Sequence, residues 1–172
     1  MPEMNLKGYF LKLQNGDKEA FAHIYQELKQ PVFTIACRIV QSPELAEDIT
    51  HDVFVKLFTS PLDSSIRNPR AWIFQMTRNL ALDALKEKQC TDIEDLQIAA
   101  NDMCSHILMR RDMETALSKL PRLEREIISL HLNGELHFHE ISKIVGLSLP
   151  ATYRKYRKAL ESLRTYLTGG AL

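Results

Sequence analysis

Glycine and proline are scarce in this sequence, which has 6 Gly and 7 Pro in 172 residues. Apolar residues recur instead at spacings of three and four, so the chain is predicted to be all-α without a convincing strand. No run of 18 apolar residues occurs, and the N-terminus carries early charges without a cleavable apolar stretch. Both a membrane span and a signal peptide are therefore excluded, and we expect a cytoplasmic protein without direct membrane insertion.

The sequence also lacks the motifs of an enzyme. It contains no glycine-rich phosphate loop, and no Ser, Cys or carboxylate pair lies in a pattern that supports nucleophilic or acid–base catalysis. The three cysteines Cys37, Cys90 and Cys104 cannot all pair, which fits a reducing compartment. Cys104 and His106, with three later histidines, raise the possibility of a metal site, but their spacing matches no ligand pair. We expect no catalytic activity, metal or cofactor.

The chain has no net charge, but its charges are segregated. Residues 91–112 are mainly acidic, whereas residues 150–165 carry five basic side chains against one acidic one, Glu161. The acidic stretch also loses the apolar periodicity and is predicted to be a linker. We therefore expect a first domain at residues 1–89, a linker at 90–112 and a second domain at 113–172.

Capping and breaking residues divide the first domain into four expected helices. Asp17 is expected to cap a helix that ends at Pro31, because proline removes a backbone donor, and a second helix follows over about 32–40. Ser42, followed by a proline, is predicted to cap a third helix, which continues to about residue 58. The fourth is expected to start at Asn68-Pro69, after a ten-residue loop. The third helix would bury a stripe of Leu45, Ile49, Val53 and Leu57.

The second domain contains the pattern of a helix-turn-helix. In such a motif, a small residue is needed where the helices cross and a glycine where the chain reverses, and Ser142 and Gly146 meet these needs. Ile141, Val145 and Leu147 supply the buried contacts, and Ser148 can cap the second helix. The buried period of that helix is expected at Thr152, Tyr156, Ala159 or Leu160, Leu163 and Leu167.

The remaining residues at the start of this helix point outward and are the candidates for contact with the major groove of DNA. An arginine can discriminate guanine by a bidentate contact, whereas lysine mostly binds phosphate. The structural alternative is a solvated basic face. The candidate DNA-binding residues are Ser148, Ala151, Tyr153, Arg154, Lys155, Arg157 and Lys158.

Four segments together give the chain a resemblance to a known family: "GDKEAFAHIYQEL", "SPELAEDITHDVFVKLF", "NPRAWIFQMTRNLALD" and "LPRLEREIISLHLNGELHFHEISKIVGLSLPAT". With them, the sequence resembles the extracytoplasmic-function group of bacterial sigma factors, the promoter-recognition subunits of RNA polymerase. The third segment is the most specific, with Trp72, Arg78, Asn79 and Asp83 in register.

The resemblance implies two helical domains joined by a flexible linker. The first would bind the polymerase clamp and the minus-ten promoter element, and the second would read the minus-thirty-five element, with the polymerase flap as a further contact. An anti-sigma factor is implied as a partner by analogy. The expected clamp contacts on the third helix are Glu47, Asp48, His51 and Asp52, although an acidic helix start also complements the helix dipole.

Opening of the promoter strands is the mechanistic step that the resemblance implies. A flipped nontemplate base would be held by the loop at residues 59–68 and by the start of the next helix, without chemistry on the base. We expect Trp72, Ile73 and Met76 to be core residues. The outward candidates for minus-ten contacts are Arg70, Arg78, Asn79, Asp83 and Lys86.

Several positions depart from the family pattern. His51 replaces a usual Gln, Gln75 a common basic residue and Tyr153 a common Lys, while Glu87 interrupts a basic tail. These changes reduce the positive charge that faces DNA, so the promoter sequence of a relative cannot be assigned to this protein. Two alternatives remain open: a helix-turn-helix regulator that does not bind polymerase, and a sigma-like chain that binds it without starting transcription.

Overall fold

The computed structural model describes residues 6–60, 65–91 and 111–169, which contain eight α-helices and no strand. The predicted all-α fold of two small helical domains is confirmed. Helices α1–α4 form a first module, α5–α8 form a second module, and residues 92–110 between them lie outside the described ranges. The helices are α1 Leu6–Gln14, α2 Glu19–Val40, α3 Pro43–Thr59, α4 Pro69–Thr91, α5 Arg111–Ser118, α6 Arg122–Leu132, α7 Phe138–Val145 and α8 Leu149–Leu167.

The prediction that Pro31 ends a helix is wrong, because α2 continues through it to Val40. A proline inside a helix costs about 3 kcal/mol, since it removes one hydrogen bond and crowds the preceding turn. The cost is offset because the buried stripe is continuous across the proline: Leu28 precedes it, Val32 and Ile35 follow it, and all three are fully buried. Tertiary packing thus holds two expected helices as one.

The first module is built around α2, which packs against α1, α3 and α4. Helix α1 was not predicted from the sequence; it buries Phe10, whose ring meets the half-buried Trp72 edge-on at 6.0 Å. The expected core position of Ile73 is confirmed, since it is fully buried. The four helices of this module are therefore α1 and three helices that contain the four predicted segments, two of which are joined in α2.

Two caps fix where α3 and α4 begin: the predicted cap at Ser42, and a cap at Asn68, where the fourth helix was expected to start. Ser42 accepts a hydrogen bond from the Leu45 N–H at 3.4 Å, and Asn68 accepts one from the Ala71 N–H at 3.1 Å. Each side chain satisfies a backbone donor that the first helical turn leaves without a partner. The starts of α3 and α4 thus follow directly from local sequence.

The second module has a small core of its own, formed by Ala116, Leu117, Leu120, Ile128, Ala159 and Leu163. In α8 the expected burial of Thr152, Ala159 and Leu163 is confirmed. Leu160 and Leu167 are instead exposed, because the helix is contacted on one narrow side by α5, α6 and α7. The second module therefore has few core residues of its own, and the first module covers much of α6.

The two modules pack directly against each other, α6 against α2 and α7 against α4. Ile127, Leu130, Leu136, Ile141 and Ile144 of the second module belong to the same buried cluster as the core of the first. Burial of apolar area of this kind is the main favourable term in association of helices. The described parts of the chain therefore share one continuous core.

Candidate nucleic-acid interface

The turn between α7 and α8 has the geometry predicted for a helix-turn-helix. Gly146 adopts the left-handed conformation with φ of 72°, and its N–H donates to the carbonyl of Ser142, which is 6% exposed. Ser148 caps α8 by accepting a hydrogen bond from the Ala151 N–H at 3.3 Å. Glycine enters this conformation without the steric cost that a Cβ adds, so the chain can reverse here and direct α8 outward.

The outward face at the start of α8 is basic. Ser148, Tyr153, Arg154, Arg157 and Lys158 are exposed, and Ala151 and Lys155 are half-buried. The opposite face is anchored by the fully buried Thr152, whose hydroxyl donates to the Ser148 carbonyl at 3.0 Å. The seven predicted residues are thus brought together on one end of one helix, as major-groove contact requires.

An aromatic cluster supports this face from below. Phe138 of α7 stacks on His131 of α6 with ring centroids 4.6 Å apart, and it meets Tyr156 and Tyr153 of α8 edge-on at 4.9 Å and 5.4 Å. Such contacts fix the direction of an aromatic ring beyond simple burial. Tyr153 is still 47% exposed, so one ring both packs on α7 and faces outward.

The start of α4 carries the first minus-ten candidates. Arg70 donates to the Glu27 carboxylate at 2.6 Å and to the Gly134 carbonyl at 3.4 Å, and it forms an ion pair with Glu135 at 3.4 Å. Asn68 donates a hydrogen bond from its amide to the Glu140 carboxylate. The second module therefore covers this end of α4.

Arg78 is covered as well. Its Nε lies 2.9 Å from Oε2 of Glu126, a carboxylate that is 1% exposed. The expected outward position is thus wrong for Arg70 and Arg78, whose side chains are 20% and 16% exposed, because α6 and the α6–α7 turn pack over them. Their role in DNA binding stays a prediction.

Further along α4, Asn79, Asp83 and Lys86 are exposed. Lys86 pairs with Asp83 at 3.2 Å, and Asn79 and Asp83 line a shallow cavity of about 450 Å³ between α3 and α4. Trp72 and Met76 also line this cavity, and their partly buried side chains form its apolar wall. Five predicted minus-ten residues therefore divide into two covered and three open ones.

The predicted polymerase contacts lie along one exposed face of α3. Glu47, Asp48, His51 and Asp52 are all exposed, and Glu44 extends the acidic face by one turn. His51 Nδ1 lies 3.7 Å from the Asp52 carboxylate. The face opposite them buries Ile49 and Val53 in the core, which leaves the acidic side chains free to meet a basic surface.

Beside this acidic face runs an apolar groove that the sequence analysis missed. The groove has a volume of about 810 Å³ and lies between α2 and α3. Phe58 and Val55 are 48% and 42% exposed at its edge, outside the buried stripe of α3. The spacing of three residues between Val55 and Phe58 places both on one face of α3, and this pattern could have indicated the groove from the sequence. The lining aromatic residues are Phe21, Tyr25, Phe33, Phe54 and Phe58.

Neither a membrane helix nor a metal centre occurs in residues 6–60, 65–91 and 111–169. No helix there is long and apolar enough to cross a bilayer, and no three potential metal ligands converge. Cys104 and His106, the metal candidates of the sequence, fall outside these ranges. This part of the chain offers three surfaces: the basic start of α8, the exposed Asn79, Asp83 and Lys86 of α4, and the acidic face of α3 beside the groove.

Two family profiles match the sequences of the two modules. Residues 24–90 match sigma-70 region 2, and residues 116–165 match sigma-70 region 4. The chain belongs to the sigma-70 family, as a sigma factor of the extracytoplasmic-function group. It binds core RNA polymerase and directs promoter recognition in the initiation of transcription.

Relatives of the same group match nearly the whole chain. The sigma factor SigW of Bacillus subtilis is 24% identical over 96% of this chain and 98% of its own length. The sigma factor SigK of Mycobacterium ulcerans is 25% identical over 95% and 94% of the two chains. The similarity thus spans both modules.

Two solved structures share the fold. The sigma factor RpoE, solved with the anti-sigma factor NepR from Bartonella quintana, aligns with a TM-score of 0.68 and 18% identity over 86% of this chain and 96% of its own. CnrH, solved with the cytosolic domain of CnrY, aligns with a TM-score of 0.66 and 19% identity over 95% and 97% of the two chains.

Proposed function

We propose that the two modules divide promoter recognition between them: α4 reads the minus-ten element and α8 reads the minus-thirty-five element. The observation that carries this proposal is the start of α8, where exposed Arg154, Arg157 and Lys158 project from a helix fixed by a left-handed Gly146 and the Ser148 cap. A helix presented in this way can enter the major groove with its N-terminal residues on the base edges.

Asn79 and Asp83 are the minus-ten residues best placed to meet an extruded base. They are exposed and line the cavity that Trp72 also lines, so polar edge contacts and an aromatic ring lie within one recess. Extrusion costs a few kcal/mol, which stacking and hydrogen bonds to the base repay. Arg70, Arg78 and Lys86 are the basic side chains that would hold the backbone of this strand.

The acidic face of α3 is the proposed contact with the polymerase clamp, through Glu47, Asp48, His51 and Asp52. Its support is exposure and charge together, since a row of exposed carboxylates favours a basic partner surface. The second module is assigned the flap contact. The boundaries stay those that the sequence predicts, with domains at 1–89 and 113–172 and a linker at 90–112.

We expect the protein to act in the cytoplasm, where polymerase and promoter DNA are found, and to have no catalytic activity of its own. An anti-sigma factor is a further expected partner, by analogy with the RpoE structure, which was solved with one.

Reconstitution with core polymerase tests the division of labour. Promoters are first selected from genomic DNA with the holoenzyme, and each element is then scrambled separately. Asn79→Ala should weaken selection of the minus-ten element alone, whereas Arg154→Ala should weaken selection of the minus-thirty-five element alone. Arg164→Ala, which removes an exposed charge from the far end of α8, is the matched control.

Three other results would contradict the proposal. A chain that binds duplex DNA but does not co-elute with core polymerase would be a helix-turn-helix regulator. A chain that co-elutes but gives no transcript from any promoter would be a sigma-like binding protein. Equal loss at both elements for Asn79→Ala and Arg154→Ala would show that the two helices do not divide recognition.

A further inference from the structure

The basic start of α8 also carries apolar surface. Leu149 and Tyr153 are 45% and 47% exposed, although both are large hydrophobic residues. They lie one helical turn apart, at positions i and i+4, so their side chains share a face. Arg154 and Arg157 are exposed on the same part of the helix. Phosphate binding does not account for the apolar side chains, because phosphate is bound by charge and by hydrogen bonds.

The ring of Tyr153 is held from one side by another helix. Phe138 of α7 meets it edge-on at 5.4 Å. Phe138 is itself fixed, since it stacks on His131 at 4.6 Å and meets Tyr156 edge-on at 4.9 Å. A tyrosine has only two side-chain torsions, so a supported ring loses little further freedom when it binds. The exposed side of the ring is therefore preorganised for contact.

The chemistry of the major groove limits what such a ring can recognise there. Thymine is the base that presents an apolar group in this groove, its C5-methyl, whereas the other base-edge groups are hydrogen-bond donors and acceptors. Guanine offers acceptors, which suit an arginine or a lysine. An exposed aromatic ring among the base-reading positions thus fits a thymine methyl group.

We propose that Tyr153 reads the C5-methyl group of a thymine in the minus-thirty-five element. The inference rests on the proposed function, because α8 must enter the major groove at that element. The face of the ring covers the methyl group, and the hydroxyl is not required. Arg154 and Arg157, exposed on the same part of α8, supply the polar contacts around it. Tyr153 is then a specificity-determining residue that adds a thymine preference to a basic helix.

Replacement of thymine by uracil tests the proposal, because it removes the methyl group and leaves the hydrogen-bonding groups of the base in place. Each thymine on either strand of the selected minus-thirty-five element is replaced in turn, and the promoter duplexes compete for wild-type holoenzyme. At one position or more, affinity should fall by about fourfold, the factor expected when one buried methyl group is lost. Equal affinity at every position overturns the proposal, as does a selected element without thymine.

Variants of Tyr153 connect the methyl group to the ring. At the sensitive position, Tyr153→Ala should bind the thymine and uracil duplexes equally, whereas Tyr153→Phe keeps the ring and should retain the difference of about fourfold. A purely structural role of Tyr153 would weaken both duplexes by the same factor. A thymine preference that persists in Tyr153→Ala therefore overturns the assignment, as does its loss in Tyr153→Phe.

Two further variants complete the comparison. Arg154→Ala, the matched control, removes the adjacent exposed side chain and should weaken binding to both duplexes while keeping their ratio. Tyr153→Lys should lose the thymine preference, and its binding should depend more strongly on salt, because the lysine adds a phosphate contact. A Tyr153→Lys holoenzyme that keeps the preference overturns the proposal, as does an Arg154→Ala holoenzyme that loses it.

The outcomes separate this inference from the proposed function. A holoenzyme that selects the minus-thirty-five element, but binds the thymine and uracil duplexes equally, would end the role of Tyr153 and keep the proposed function. A holoenzyme that tolerates scrambling of this element would end both.

Discussion

Arg125 of α6 donates a hydrogen bond from its Nε to the backbone carbonyl of Arg38 in α2, across 2.5 Å. Its Nη1 also donates to the carbonyls of Ser118 and Leu120, both at 3.1 Å. Burial lowers the pKa of Arg125, and the adjacent Glu126 opposes that effect. One guanidinium thus joins the two modules and satisfies the carbonyl ends of the α5–α6 turn.

Arg38 itself should contribute strongly to stability. It forms an ion pair with Glu114 at 2.6 Å and donates hydrogen bonds to Ser129 and Asn133, so it joins α2 to both α5 and α6. Arg38→Ala should lower the free energy of unfolding by about 1.5–3 kcal/mol, because hydrogen bonds to charged groups are lost. Urea unfolding followed by circular dichroism measures this. Arg164→Ala, an exposed control, should change stability by less than about 0.5 kcal/mol.

Pro31→Ala should stabilise the protein. The substitution restores a backbone donor inside α2, where the proline now interrupts a helix that packs on both sides of it. A gain of about 1–3 kcal/mol is expected, since an interior proline costs about that much relative to alanine. Pro43→Ala is the matched control, because Pro43 lies at the first position of α3. A backbone N–H at that position has no acceptor within the helix, so restoring it adds no helical hydrogen bond. A gain at Pro43 equal to that at Pro31 would contradict this account.

Asp48→Lys should weaken binding to core polymerase without unfolding the chain. Asp48 is exposed in the middle of the acidic face of α3, so the substitution reverses a charge there and leaves the core intact. We expect a loss of about tenfold or more in affinity by a pull-down or fluorescence titration, since like charges opposed at an interface cost several kcal/mol. Asp112→Lys makes the same charge change on α5. Unchanged affinity for Asp48→Lys would remove this residue from the clamp contact.

Arg154→Ala should cost about 1–3 kcal/mol of discrimination at the minus-thirty-five element. Arg154 is exposed in the first half of α8, where a guanidinium can reach a base edge. Competition between specific and scrambled duplexes, measured with holoenzyme, gives the loss. If affinity falls equally on both duplexes, Arg154 binds phosphate instead, and its removal should also reduce the salt dependence of binding.

Local sequence was sufficient to predict much of the candidate nucleic-acid interface. The caps at Ser42 and Ser148 and the left-handed turn at Gly146 depend on groups within a few residues, so the starts of α3 and α8 could be predicted. The outward basic face of α8 could also be predicted, because the helical spacing of its apolar residues shows which side is buried. The limit of such reasoning appears at Leu160 and Leu167, whose exposure depends on how narrow the neighbouring contact is.

The sequence by itself determined most of the helices, the capped turns and the two modules, because short-range hydrogen bonds and apolar periodicity encode them. Only the tertiary structure decided that α2 passes through Pro31, and that Glu124, Arg125 and Glu126 are buried in α6. Three adjacent charges normally indicate a solvated face. Here the first module covers one side of α6 and α8 the other, so each charge has a partner far away in sequence. Arg125 donates to the backbone carbonyl of Arg38, Glu126 pairs with Arg78, and Glu124 pairs with Lys158.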